Sequence, residues 1–316
     1  SAYTKGLQGE ETDGRKSEAV AKHFLGFHAS QSGIHGTDCQ ISERELREVY
    51  AKPFQAAITE AKLRGVMPCY NAINGKPVSV TKEILTDLLR NEMGFDGIEV
   101  SDYCAVSNVH ETQGLYETKA EAGLHALEAG MDAELHLRSC FNEDLKQMFE
   151  DGSADIAILD RAVLHVLEAK FRMGLFEHPF PLEGKALAES FHDGTEENIS
   201  LQAARECLVL LKNDGLLPLN KSIRKLAVIG PHAIEPRFFF GGYTHLSMAE
   251  GCLSSVATMA GVESEKGTEF TYSMLPGTII ERSDDDRFHE VLKLQKPNCD
   301  SILSQLKKRL PNTEIA

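Results

Sequence analysis

Short apolar runs that each end in a polar loop recur along the first third of the chain, and the stretches between them carry the spacing of amphipathic helices. The runs are Ala19 to Phe27, Gly65 to Tyr70 and Gly97 to Val100, and the helical stretches run from Ser42 to Arg64 and Thr81 to Asn91. Such βα alternation restricts the fold to an α/β class with a parallel sheet, because parallel strands need a covering crossover between them. Ser42 and Glu45 have the spacing of a capping box ahead of Leu46, Val49 and Phe54, and Thr81 is expected to open the next helix in the same way. Further on, a helix from Glu121 to Ala129 leads through Gly130 to a short strand around Met131 to Leu135. Apolar positions from Ala157 to Phe171 then form a helix that ends at Gly174.

From Phe176 to Gly194 the sequence turns rich in Pro, Gly, His and Glu and loses periodicity, as a linker does. The expected organisation is a partial barrel over 1–181, a linker over 182–198 and a second, partial α/β unit over 199–316. In that second unit, Ile199 to Lys212 reads as helix, Lys225 to Gly230 as a strand, and Asp300 to Leu310 as another helix. The chain starts at Ser1 without Met, and its last residues resemble a loop entering a strand, so an internal fragment of a longer protein is expected.

Charge and cysteine usage narrow the function classes. A formal net charge of -15 repels polyanions such as nucleic acid and favours a neutral or cationic small substrate. No apolar run approaches the roughly 18 residues of a membrane span, so no membrane partner is expected. Seven scattered cysteines, an odd number with no CxxC pair, argue against a disulfide framework or structural zinc and favour a reducing compartment, hence a cytoplasmic setting. Oligomeric state is left open.

The chemistry-bearing residues fall at the ends of the three runs. Lys22-His23, Tyr70-Asn71 and Asp102-Tyr103 would face one pocket at the C-terminal edge of a parallel sheet, where barrel enzymes keep their active sites. Asp102 has no Lys or Arg within four positions, so it reads either as a nucleophile or as a helix N-cap or turn residue. Lys22 alternatively reads as an interior ion pair and His23 as a satisfied core histidine. The set offers fixed donors and acceptors with an aromatic face and lacks a glycine-rich phosphate loop or arginine cluster, so it suits a carbohydrate better than a phosphate. Two other readings stay open: a barrel aldolase with Lys22 as Schiff-base nucleophile, and a non-catalytic sugar-binding protein.

Consecutive motifs then resemble one family. AKHF at Ala21 to Phe24, VMPCYN at Val66 to Asn71 with Gly75-Lys76-Pro77, and Gly94 to Val106 look like signatures of glycoside hydrolase family 3, the β-glucosidase and β-xylosidase group. The likeness continues through Ala129 to Asp132, Lys170 to Phe176, Val209 to Leu219, Ala227 to His232 and Gly241 to His245. It implies the C-terminal part of a (β/α)8-type barrel followed by a truncated α/β sandwich domain, and retaining, exo-acting hydrolysis of terminal β-linked glucose or xylose. No cofactor or metal is implied.

By the same resemblance Asp102 is the nucleophile, Lys22 and His23 bind sugar hydroxyls, and Tyr70 lines the nonreducing-end subsite. Met67 and Tyr103 join them as substrate contacts, and Tyr243 and His245 form a second-domain loop that could reach the pocket. Tyr103 stands where relatives often have Trp, Cys104 replaces a common Gly, and His136-Leu137 departs from the usual Leu-Pro after Glu134. The acid/base is expected outside this chain, as a Glu downstream of the Gly241 to His245 loop. A smaller branch uses a His in the loop after the Lys-His strand, but the spacing of His28 and His35 does not fit its motif.

Overall fold

A computed structural model describes residues 1–9, 17–135, 137–186, 195–240, 244, 272–274, 281–283, 292–293 and 296–316. The chain divides into two compact units, Ser1–Leu182 and Glu183–Ala316.

The first unit is built on four parallel strands, β1 (Val20–Phe24), β2 (Gly65–Pro68), β3 (Ile98–Tyr103) and β4 (Ala133–Leu135), which lie side by side in chain order. Every βα crossover therefore steps the same way, and all four C-terminal ends share one edge. A doubly wound sheet would reverse direction at a switch point, and this sheet has none among its strands. The crossovers are helical: α1 (Lys52–Ala61), α2 (Glu83–Glu92), α3 (Ala105–Glu111) with α4 (Lys119–Ala129), and beyond β4 come α5 (Glu143–Glu150) and α6 (Ile156–Arg172). In α2 the wider π-type turn closes the helix, yet Ile84, Leu85, Leu88 and Leu89 still form one buried face. That face joins Phe24, Leu25, Val66 and Val106 in the main core.

Close approach fixes one joint of the sheet and a buried charged group another. A Cβ on Gly97 would lie 2.0 Å from the Arg64 carbonyl oxygen, the same oxygen that accepts from Ile98 N at 2.9 Å. Only glycine lets β3 lie against the start of β2 there. On the helix side of the sheet, Asp132 is the hub of a buried charged group. It accepts from Arg90 Nη2 (2.7 Å), Glu99 N (2.8 Å) and His165 Nδ1 (2.8 Å), while Arg90 Nε stands 2.6 Å from Glu99 Oε1. Burial, reinforced by Asp132, pushes the Glu99 carboxyl well above its ordinary range against the pull of Arg90 and Arg161.

Helix starts follow the sequence in part. Ser42 Oγ accepts from Glu45 N, and Thr118 with Glu121 forms a full capping box ahead of α4. Thr81 behaves differently: its hydroxyl donates back to the Pro77 carbonyl at 2.6 Å, so it closes the preceding turn and leaves α2 without a side-chain cap. The helix expected from Ala157 is Ile156–Arg172, capped by Asp155, and Gly174 follows at φ +67°.

In the second unit, α7 (Thr195–Glu206) both starts and ends before the helix expected over Ile199 to Lys212. Leu208, Val209, Leu210 and Leu211 are instead non-helical and exposed. Of the strand expected over Lys225 to Gly230, only β5 (Lys225–Leu226) pairs, in parallel with β8 (Glu314–Ile315). Val228 N still reaches the Ala316 carbonyl, but Gly230 at φ 118° turns the chain away. Between them β6 (Tyr272–Met274) and β7 (Glu281–Ser283) form an antiparallel pair, and α8 (Ile302–Arg309) is capped by Ser301.

Candidate active site

Alternation along β3 sends Glu99 and Ser101 to the buried helix side and Asp102 to the other. Ser101 spends its hydroxyl on the seam with β4, accepting from Leu135 N at 2.8 Å and donating to the Asp102 carbonyl at 2.9 Å. Asp102 is thereby presented at the C-terminal edge on a fixed strand end. Its Oδ1 accepts from Tyr103 N at 2.7 Å, and its Oδ2 lies 3.2 Å from His23 Nε2 on β1. It caps no helix: the N-cap of α3 is Cys104, at φ 59°, the left-handed conformation that glycine adopts without strain. The N-cap reading of Asp102 is therefore set aside.

Electrostatically the site favours an ionised Asp102. Burial by itself would raise the carboxyl, but hydrogen bonds from His23 and the Tyr103 N–H outweigh it and hold the group below the usual carboxylate range. The Asp102 side chain is 14 % exposed and that of His23 23 %, a partly desolvated pair still reachable from solvent.

Aromatic rings wall the pair. Tyr70, just beyond β2, donates its phenol to the Tyr103 carbonyl at 2.7 Å. His23 leans on Phe27 (5.3 Å between ring centroids), Phe27 meets His35 edge-on (5.1 Å), and His35 meets Tyr70 edge-on (4.7 Å). His28 packs on the far side of Phe27, at 5.9 Å.

Of the residues singled out in the sequence, His23, Tyr70, Asp102 and Tyr103 come together. Lys22 is exposed and pairs in register with Met67, which is half-buried on β2. Asn71 does not face the pocket. It is fully buried and donates to Ser30 Oγ (2.7 Å) and the Thr37 carbonyl (2.8 Å), pinning the loop that carries His35. Glu134 likewise turns to structure, accepting from the Cys140 and Phe141 N–H groups. Tyr243 and His245 lie outside the described residues. Phe27 had no sequence signal, since one Phe in an apolar run is indistinguishable from core. Among the described residues no cluster of His, Cys, Asp or Glu could hold a metal ion.

A carboxylate kept ionised at the C-terminal edge of a parallel sheet, beside aromatic faces, has the chemistry to attack an electrophilic carbon. The chain belongs to glycosyl hydrolase family 3: residues 1–169 match the model of the Glycosyl hydrolase family 3 N terminal domain. Among its relatives is a Beta-xylosidase of Formosa agariphila, 34 % identical over 316 residues, covering 96 % of this chain and 43 % of the relative. A Periplasmic beta-glucosidase of Salmonella typhimurium is 32 % identical over 83 % of this chain and 34 % of its own length. The crystal structure of beta-glucosidase from Listeria innocua in complex with isofagomine superposes with a TM-score of 0.70 at 33 % identity, over 77 % of this chain and 34 % of that one. The chain thus spans less than half the length of these relatives.

Proposed function

We propose that the chain forms the nucleophile-bearing part of a retaining, exo-acting β-glycosidase. It would release terminal β-linked glucose or xylose from oligosaccharides or glycosides through a covalent intermediate on Asp102. In this reading the four parallel strands are an arc of a (β/α)8-type barrel, and the second unit is part of an α/β sandwich domain. The observation that carries it is the Asp102 carboxylate, held ionised by His23 and the Tyr103 N–H at the C-terminal edge of the parallel sheet.

The chemistry follows from that placement. Asp102 attacks the anomeric carbon, the glycosidic C–O bond breaks, and the departing oxygen takes a proton from a second carboxyl about 5–5.5 Å away. The second carboxylate then takes a proton from water, which attacks the same carbon, breaks the ester bond to Asp102 and so restores both carboxyl groups. Lys22 and His23 hydrogen-bond the ring hydroxyls, while Tyr70, Tyr103 and Met67 line the sugar's apolar face. In this proposal the acid is a Glu downstream of the Gly241 to His245 loop, as the family resemblance implies. The relatives named above include both a β-xylosidase and β-glucosidases, which keeps both sugars in the proposal. A Schiff-base role for Lys22 fits poorly, since that chemistry needs a lysine sunk in an apolar pocket or set beside another cation, and this one is exposed.

Nitrophenol release from aryl β-glucosides and β-xylosides tests the reading. We expect the 316-residue chain alone to be inactive and a polypeptide extended to the relatives' length to be active. In the longer protein Asp102→Asn should lower kcat by several powers of ten. An unchanged rate in that variant would overturn the assignment.

A further inference from the structure

Tyr70 sits where the sheet no longer holds the chain. Its neighbours are fixed by main-chain bonds, Cys69 N to the Phe24 carbonyl (2.6 Å) and Val78 N to the Asn71 carbonyl (3.0 Å), but β2 ends at Pro68. The Tyr70 carbonyl is instead met by a side chain 43 positions away: Gln113 Nε2 donates to it at 3.0 Å.

Gln113 stands on a loop that is itself braced. Its N–H donates to the Asn108 carbonyl (2.8 Å) and Leu115 N to the Val109 carbonyl (2.9 Å). His110 Nδ1 donates to the Tyr116 carbonyl (3.0 Å), and the Tyr116 ring stacks on His125 at 4.2 Å and 15°. Glu121 then accepts from the Glu117 and Thr118 N–H groups at 3.0 Å each. A side chain projected from so constrained a loop loses little freedom when it bonds, and it aims a donor at a fixed point.

The loop belongs to the same βα unit as Asp102. Tyr70 is therefore tied to that unit twice, through Gln113 at its carbonyl and through the Tyr103 carbonyl at its phenol. The two ties fix the spacing between the ring and the Asp102 carboxylate independently of the β2–β3 pairing.

We propose that Gln113 is a positioning residue that sets substrate affinity by holding Tyr70 against the sugar site. This rests on the glycosidase reading above. It acts through Tyr70 and touches no reacting atom, so it belongs to binding shared by ground and transition states and should move KM more than kcat.

The test uses the full-length protein and an aryl β-glycoside. Gln113→Met keeps the length and removes the donor, and Gln113→Ala removes both. Each is expected to raise KM about three- to tenfold, the size of one lost neutral hydrogen bond, with kcat within about twofold. In a double-mutant cycle with Tyr70→Ala, the Gln113→Met effect on kcat/KM should vanish, because its route is gone. An unchanged KM in both Gln113 variants, or effects that simply add to Tyr70→Ala, would overturn the proposal while leaving the glycosidase reading intact. A wild-type protein without glycosidase activity would overturn both.

Discussion

At the scale of single residues, the site depends on keeping one carboxylate charged in a half-desolvated position. Two donors, His23 and the Tyr103 N–H, hold Asp102 ionised, and His23 is the first of them. Because its folded pKa is lowered, ionised Asp102 adds stability that is present above the ordinary carboxylate value of about 4 and is lost as pH falls through the folded value. His23→Phe keeps a ring against Phe27 and keeps the burial, but removes the donor. We expect it to move the acid limb of kcat/KM in the full-length protein to higher pH, read from a pH–rate profile, whereas an unmoved limb would deny His23 this role. Asp102 itself was legible because a carboxylate ending an apolar run without a neighbouring cation is unusual. The tie from Gln113 to Tyr70 was not, since those residues lie 43 positions apart and meet only when their βα units pack side by side.

Elements make these meetings reproducible. The parallel ladder brings His23, Tyr70 and Asp102 to one edge, and its tightest joint is Gly97, where any side chain would meet the Arg64 carbonyl. Gly97→Ala should push β3 off the start of β2 and cost about 1–3 kcal/mol or more, measurable as a lower denaturation midpoint. A variant as stable as the parent would mean the strands can separate there freely. Strand and helix order in the first unit was readable because apolar runs bounded by caps and turns leave few alternatives. Boundaries failed where a local signal had a competitor. Thr81 had a backward carbonyl to bond instead of a helix start, and the run Leu208 to Leu211 looked helical only by continuation from α7.

For the molecule as a whole, the family and the one-directional sheet agree, and the acidic balance suits a neutral substrate. The second unit was less legible. Its described strands are two to three residues long, so their pairing is set by register with distant segments such as Glu314–Ile315 and leaves little pattern in the sequence. The central claim is chemical, that a covalent bond forms between Asp102 and a sugar. Incubating the full-length protein with a 2-deoxy-2-fluoro β-glycoside that bears a good leaving group, followed by peptide mass spectrometry, tests it most directly. We expect one fluoroglycosyl adduct on the peptide carrying Asp102, with activity lost in step with labelling. An adduct on any other carboxylate, or inactivation with Asp102 unlabelled, would contradict the account.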